Sequence, residues 1–106
     1  GDTPGTAMEI ATDEEYAGLV GDEDSHDYYR FEPEVGQVVV VTGAKGAEDL
    51  IARVLDGEEY ELWNVSGIVT GDTAEFEITE IEGETPYYVW IYGGTGSYTV
   101  EVRSAE

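Results

Sequence analysis

The chain has 106 residues, no cysteine, and 25 acidic residues against four cationic ones, for a net charge of -21. That length fits one domain with one modest core and leaves no room for a deep catalytic cleft beside a separate binding domain. The charge excludes nucleic acid as a partner, because phosphates need cations to neutralise them, and the missing thiols exclude disulfides, zinc-thiolate sites and cysteine nucleophiles.

The segment Gly1–Thr6 is rich in helix and strand breakers and reads, with Ala7, as an N-terminal arm, leaving residues 8–106 as the domain. Met8–Thr12 is expected as a short first strand and Tyr16–Val20 as the next, ended by Gly21 and an acidic loop. Tyr28–Glu32 alternates, with Tyr29 and Phe31 facing one way and Tyr28, Arg30 and Glu32 the other. Gln37–Thr42 is a β-branched run typical of a strand buried on both sides or nearly so. Leu50–Leu55 is ambiguous in period, but it is short and runs into Asp56-Gly57, a strong hairpin signal, so Tyr60–Val65 is the returning strand. Thr73–Thr79 alternates most cleanly, with Ala74, Phe76 and Ile78 inward and Glu75 and Glu77 outward. Pro86–Tyr92 and Ser97–Arg103 are expected as the last pair, joined by a hairpin turn at Gly93–Gly96.

Eight or nine short strands spaced by turns, with no capped helical period, indicate an all-β, jelly-roll-like antiparallel sandwich. The 14 glycines fit its turns. No long apolar run appears, so membrane insertion is not expected and any targeting segment should precede Gly1. The acidic excess has two readings. One is adaptation to a salty medium, where screening shortens to ~3 Å at 1 M. The other is capture of divalent cations.

The order of several short motifs resembles the bacterial pre-peptidase C-terminal domain family, which is related to the collagen-binding domains of secreted collagenases. The motifs are the opening Gly1-Asp2-Thr3 with Thr6-Ala7 and Ile10, the run Asp27-Tyr28-Tyr29-Arg30-Phe31, Asp49-Leu50 at the central strand, and Pro86–Tyr92 followed by Gly96–Val100. The resemblance implies a sandwich attached to a larger secreted or cell-surface protein, often a protease, with a part in substrate engagement or in processing of the parent.

Two candidate sites follow. Clustered loop carboxylates at Asp22, Glu23, Asp24 and Asp27 offer the oxygens that calcium takes. The resemblance matches Asp24 and Asp27 best to the calcium ligands of the relatives, and Asp2 more loosely. A solvated acidic loop is the alternative. The second candidate is an aromatic stripe. If Tyr87, Val89 and Ile91 face the core, then Tyr88, Trp90 and Tyr92 face out, and Tyr28 and Arg30 extend the patch. In the relatives, tyrosines on one sheet face contact the ligand. Cover by a neighbouring loop is the alternative.

Three further motifs carry less. Ser25-His26-Asp27 holds the residue types of a catalytic triad, but consecutive residues point apart, and His26 reads as a loop histidine. Asn64-Val65-Ser66 has the form of a glycosylation sequon, of a kind that chance often supplies. Gly93–Gly96 lacks the lysine and the following helix of a phosphate loop. The sequence therefore predicts no enzyme. It predicts an extracellular accessory domain that engages a polymer or protein surface, with calcium as its one expected cofactor and a parent protease as a neighbour. A structural spacer with no ligand is the alternative.

Overall fold

The computed structural model describes residues 3–21 and 25–105. Among them run nine strands: β1 (Met8–Glu9), β2 (Glu15–Val20), β3 (His26–Phe31), β4 (Val38–Gly43), β5 (Leu50–Leu55), β6 (Glu61–Ile68), β7 (Thr73–Glu77), β8 (Tyr87–Tyr92) and β9 (Gly96–Arg103). They form two sheets, ordered β1-β3-β8-β5-β6 and β2-β9-β4-β7. β8 thus lies between β3 and β5, and β9 between β2 and β4.

Period-two alternation decides which side chains meet between the sheets. Ala52, Val54, Val89 and Ile91 of the larger sheet and Val39, Val41, Val100 and Val102 of the smaller are all fully buried and form one cluster. Burying one valine contributes on the order of 1.5–3 kcal/mol. The expected inward positions hold: Ala74 and Phe76 of β7 pack against the cluster, and Ile78, just past its end, is buried within it. Trp63 of β6 stacks on Phe76 of β7 at 5.7 Å, so two rings close the side of the sandwich where the sheets part. Val40 points outward yet is also buried, as its β-branched run predicts. It lies between Glu75 and Glu101 in register, and Arg103 bridges those two carboxylates.

The Asp56-Gly57 turn forms as expected and joins β5 to β6. Asp56 is a buried carboxylate, and its Oδ1 accepts the backbone N–H groups of Glu58 and Tyr60, both at 2.9 Å. That satisfaction makes its burial tolerable.

Three expectations are corrected. The pairing is not wholly antiparallel, because β1 runs parallel to β3. β1 also stops at Glu9, although Ile10 N still donates to Arg30 O at 3.0 Å. Gly93–Gly96 is not a hairpin turn: β8 and β9 are interior strands of different sheets, so this segment crosses from one sheet to the other. It does so pressed against residues 46–49. A Cβ on Gly94 would fall 1.9 Å from Glu48 O and one on Gly96 2.2 Å from Gly46 O, and both glycines have positive φ. Only glycine permits that close approach in that conformation.

The arm is not loose where it is described. Pro4–Thr6 is a 3-10 turn, and Ala7 is buried against the outer side of the larger sheet with Tyr28 and Leu55. No helix among the described residues is long and apolar enough to cross a membrane.

Candidate functional site: an outward aromatic face

The alternation that buries Tyr87, Val89 and Ile91 turns Tyr88, Trp90 and Tyr92 to the outer side of the larger sheet, where each is half-buried. Register then builds the face. Trp90 lies opposite Tyr28 on β3 and opposite Arg53 on β5, while Tyr92 lies opposite His26. Trp90 stacks on Tyr92 with centroids 4.0 Å apart and on Tyr28 at 5.2 Å, and His26 stacks on Tyr92 at 5.7 Å. The Arg53 guanidinium packs against the same array, 5.3 Å from the Trp90 ring and 5.4 Å from the Tyr92 ring. Contacts of that kind contribute ~0.5–1 kcal/mol at exposed sites.

Trp90 and Tyr92 of the expected stripe are therefore in ring contact, while Tyr88 packs beside Ala7, Tyr28 and Leu55. Tyr28 is only 9% exposed and serves as a floor for Trp90. Burial, then Glu59 and Tyr92, raise its phenol pKa against the opposing effect of Arg53, so it stays neutral. Arg30 flanks the array and pairs with Glu9 at 3.8 Å. Arg53 Nε is buried and stands 3.2 Å from Glu61 Oε1, an ion pair without hydrogen-bond alignment. Each cation of this face thus meets one carboxylate, and two of the chain's four cationic residues stand here.

Two members of the face were not in the expected site. Arg53 was legible in principle, since Ile51, Arg53 and Leu55 fall on one side of a strand. His26 is not a loop histidine: it opens β3. Trp90 Nε1 donates to His26 Nδ1 at 3.1 Å. An indole N–H only donates, so Nδ1 is the acceptor and the ring proton is on Nε2.

Asp27, the next residue, faces the other way. Tyr98 donates its hydroxyl proton to Asp27 Oδ2, and the Tyr29 and Tyr98 hydroxyl oxygens are 2.5 Å apart. A phenol has one proton to give, so Tyr29 donates to Tyr98. Burial, and then these hydrogen bonds, push the Tyr98 phenol pKa far above its usual range. His26 and Asp27 lie on opposite faces of β3, so Ser25-His26-Asp27 does not converge as a triad.

Of the expected metal ligands, Asp2, Asp22 and Asp24 lie outside the described residues. Among the described residues, no three histidine or carboxylate side chains gather as a metal site. A shallow cleft of about 460 Å³ lies elsewhere, lined by Glu9, Ile10, Tyr16, Phe31, Glu34 and Gln37 among others.

No protein-family description and no curated relative matches this sequence. Among solved structures, the chain is similar to the pre-peptidase C-terminal domain of collagenase from Bacillus anthracis, at a TM-score of 0.69 over 96% of this chain and 99% of that one. Sequence identity is 15%, so the likeness is one of fold. At that level it bears out the resemblance read from the sequence.

Proposed function

We propose that this domain is a non-catalytic accessory module of a secreted or cell-surface protein, with a protease as its parent, and that it engages a polymer or protein surface through the outward aromatic face. One observation carries the reading. Tyr28, Trp90, Tyr92 and His26 form a continuous ring array with Arg53 against it and Arg30 beside it, in a strongly acidic molecule with four cationic residues. Contiguous rings on a soluble surface mark contact sites, and rigid amphipathic rings with an arginine are the usual anchors of binding energy. The similar domain belongs to a collagenase, which supports a protease parent and a polymeric protein target.

The test is co-sedimentation with insoluble collagen and chitin, comparing the wild type with Trp90→Ala and Tyr92→Ala. Binding to one polymer, lost in both variants, is the expected result. A second reading, a structural spacer with no ligand, draws on the mutual stacking of the rings and the Trp90–His26 bond. It prevails if no polymer retains the wild type, or if both variants bind equally well.

We extend the proposal to calcium at the loop between β2 and β3. Asp27 keeps one carboxylate oxygen outside its bond with Tyr98, and Asp22, Asp24 and Asp2 are the further oxygen donors the sequence offers. Calcium would there tie the arm to the loop. A Tm that rises with added calcium and falls with chelator is expected; an unchanged Tm removes the ion from the reading.

A further inference from the structure

Asn64 is the sole asparagine in the chain. The left-handed positions where asparagine often stands are held instead by Asp13, Asp49, Glu59 and glycines. A sequence that places acids at 25 positions keeps one uncharged asparagine, and that residue opens Asn64-Val65-Ser66. Asn64 and Ser66 are both exposed, while Val65 between them packs against the core.

The local hydrogen bond explains part of this. Asn64 Nδ2 donates to Glu61 Oε2 at 2.8 Å. Aspartate there would set a second carboxylate against Glu61. Glutamine or threonine would donate equally well, however, and the bond gives no reason for Ser66.

The place in the fold supplies a reason. β6 is an edge strand of the larger sheet. Of the other edges, β1 has two residues, β7 carries Glu75 and Glu77, and β2 is shorter than β6, six residues with Glu15 at its first position. β6 has eight residues and one charge, at its first position, followed by the uncharged run from Leu62 to Ile68. A long, uncharged edge rich in β-formers is open to pairing with another chain unless something covers it.

We propose that Asn64 is an N-glycosylation site whose sugar chain covers the β6 edge. The proposal rests on the secreted reading, because the donor acts on the outer side of a membrane. The co-reactant is a lipid-linked oligosaccharide. The bond from sugar C1 to the phosphate oxygen breaks, a C1–Nδ2 bond forms, and one of the two Nδ2 protons leaves with the departing lipid phosphate or pyrophosphate. One N–H remains on Nδ2 as a donor. Asn64 is opposite Arg53, and Arg53 is opposite Trp90, so the sugar stands at the rim of the aromatic face.

The test is peptide mass analysis of the full chain recovered from the medium of a secreting host that performs N-glycosylation. Tryptic cleavage after Arg53 and Arg103 leaves Asn64 within residues 54–103. The expected result is glycan mass on that peptide, lost in Asn64→Gln and in Ser66→Ala and kept in Ser66→Thr. The unglycosylated variants should also show a larger oligomer fraction on size exclusion at equal concentration. Secreted wild type with a bare Asn64 overturns the glycan and leaves the secreted reading standing; absence of the chain from the medium overturns both. Mass retained in Asn64→Gln also overturns it.

Discussion

Replacing Tyr98 with phenylalanine removes one oxygen from a site that is fully buried. The lost hydroxyl donates to Asp27 Oδ2 and accepts from Tyr29. A hydrogen bond to a charged group contributes ~1.5–3 kcal/mol and a neutral one ~0.5–1.5 kcal/mol. Tyr98→Phe is therefore expected to cost about 2–4 kcal/mol, lowering Tm by roughly 10–25 °C in a domain of this size. Tyr29→Phe removes the hydroxyl that donates to Tyr98 and should cost less, about 0.5–1.5 kcal/mol for that bond. Urea titration followed by tryptophan fluorescence reads both. The same network sets an alkaline limit. Because the folded pKa of Tyr98 is raised, the folded state holds the proton after the unfolded chain releases it near ~10. The contribution of Tyr98 is thus complete below that pH and is lost as pH rises above it, by ~1.4 kcal/mol per unit. The Phe variant should lose that part of the slope. A cost below ~0.5 kcal/mol, or an unchanged alkaline slope, would refute the network as an energetic unit.

At the aromatic face, Trp90→Ala is expected to weaken polymer binding by about 2 kcal/mol, roughly 30-fold, in a co-sedimentation isotherm. Arg53→Gln should reduce binding as well, while costing under ~1 kcal/mol of stability because its ion pair is partly exposed. Nitrogen-15 NMR should find neutral His26 protonated on Nε2; an Nδ1 proton would contradict the Trp90 bond. Gly94→Ala places a Cβ 1.9 Å from Glu48 O at a φ of +51, and should cost about 2 kcal/mol or more by thermal melting. Dilution from 1 M to 10 mM salt lengthens screening from ~3 to ~30 Å, so Tm should fall as 25 acids repel one another; a constant Tm would show that the charge does not strain the fold.

Much of the sandwich was legible because burial obeys a period of two. Leu50–Leu55 appears with its expected bounds, and Tyr87 to Tyr92 alternate inward and outward as read. What was not legible is which strands pair. A glycine-rich link reads as a hairpin whether its strands share a sheet or lie in two, since the close approach of residues 46–49 that requires those glycines is a distant contact. The aromatic face was half readable for the same reason. Tyr88, Trp90 and Tyr92 share one strand, whereas His26 and Arg53 reach them only through the register of β3 and β5. Asp27 was grouped with the acidic loop by adjacency; its place in β3, which directs one carboxylate oxygen to Tyr98, was not legible.

The middle strands of both layers come last in the chain, β8 then β9, separated by Gly93–Thr95. A polypeptide emerging amino end first holds β3 and β5 without the strand that unites them, and β2 and β4 likewise. The pairs β5–β6 and β4–β7 can form earlier, but neither sheet is complete until residues 87–103 are available. Closure of the sandwich is therefore a late and cooperative step, in which β8 and β9 each join strands already made.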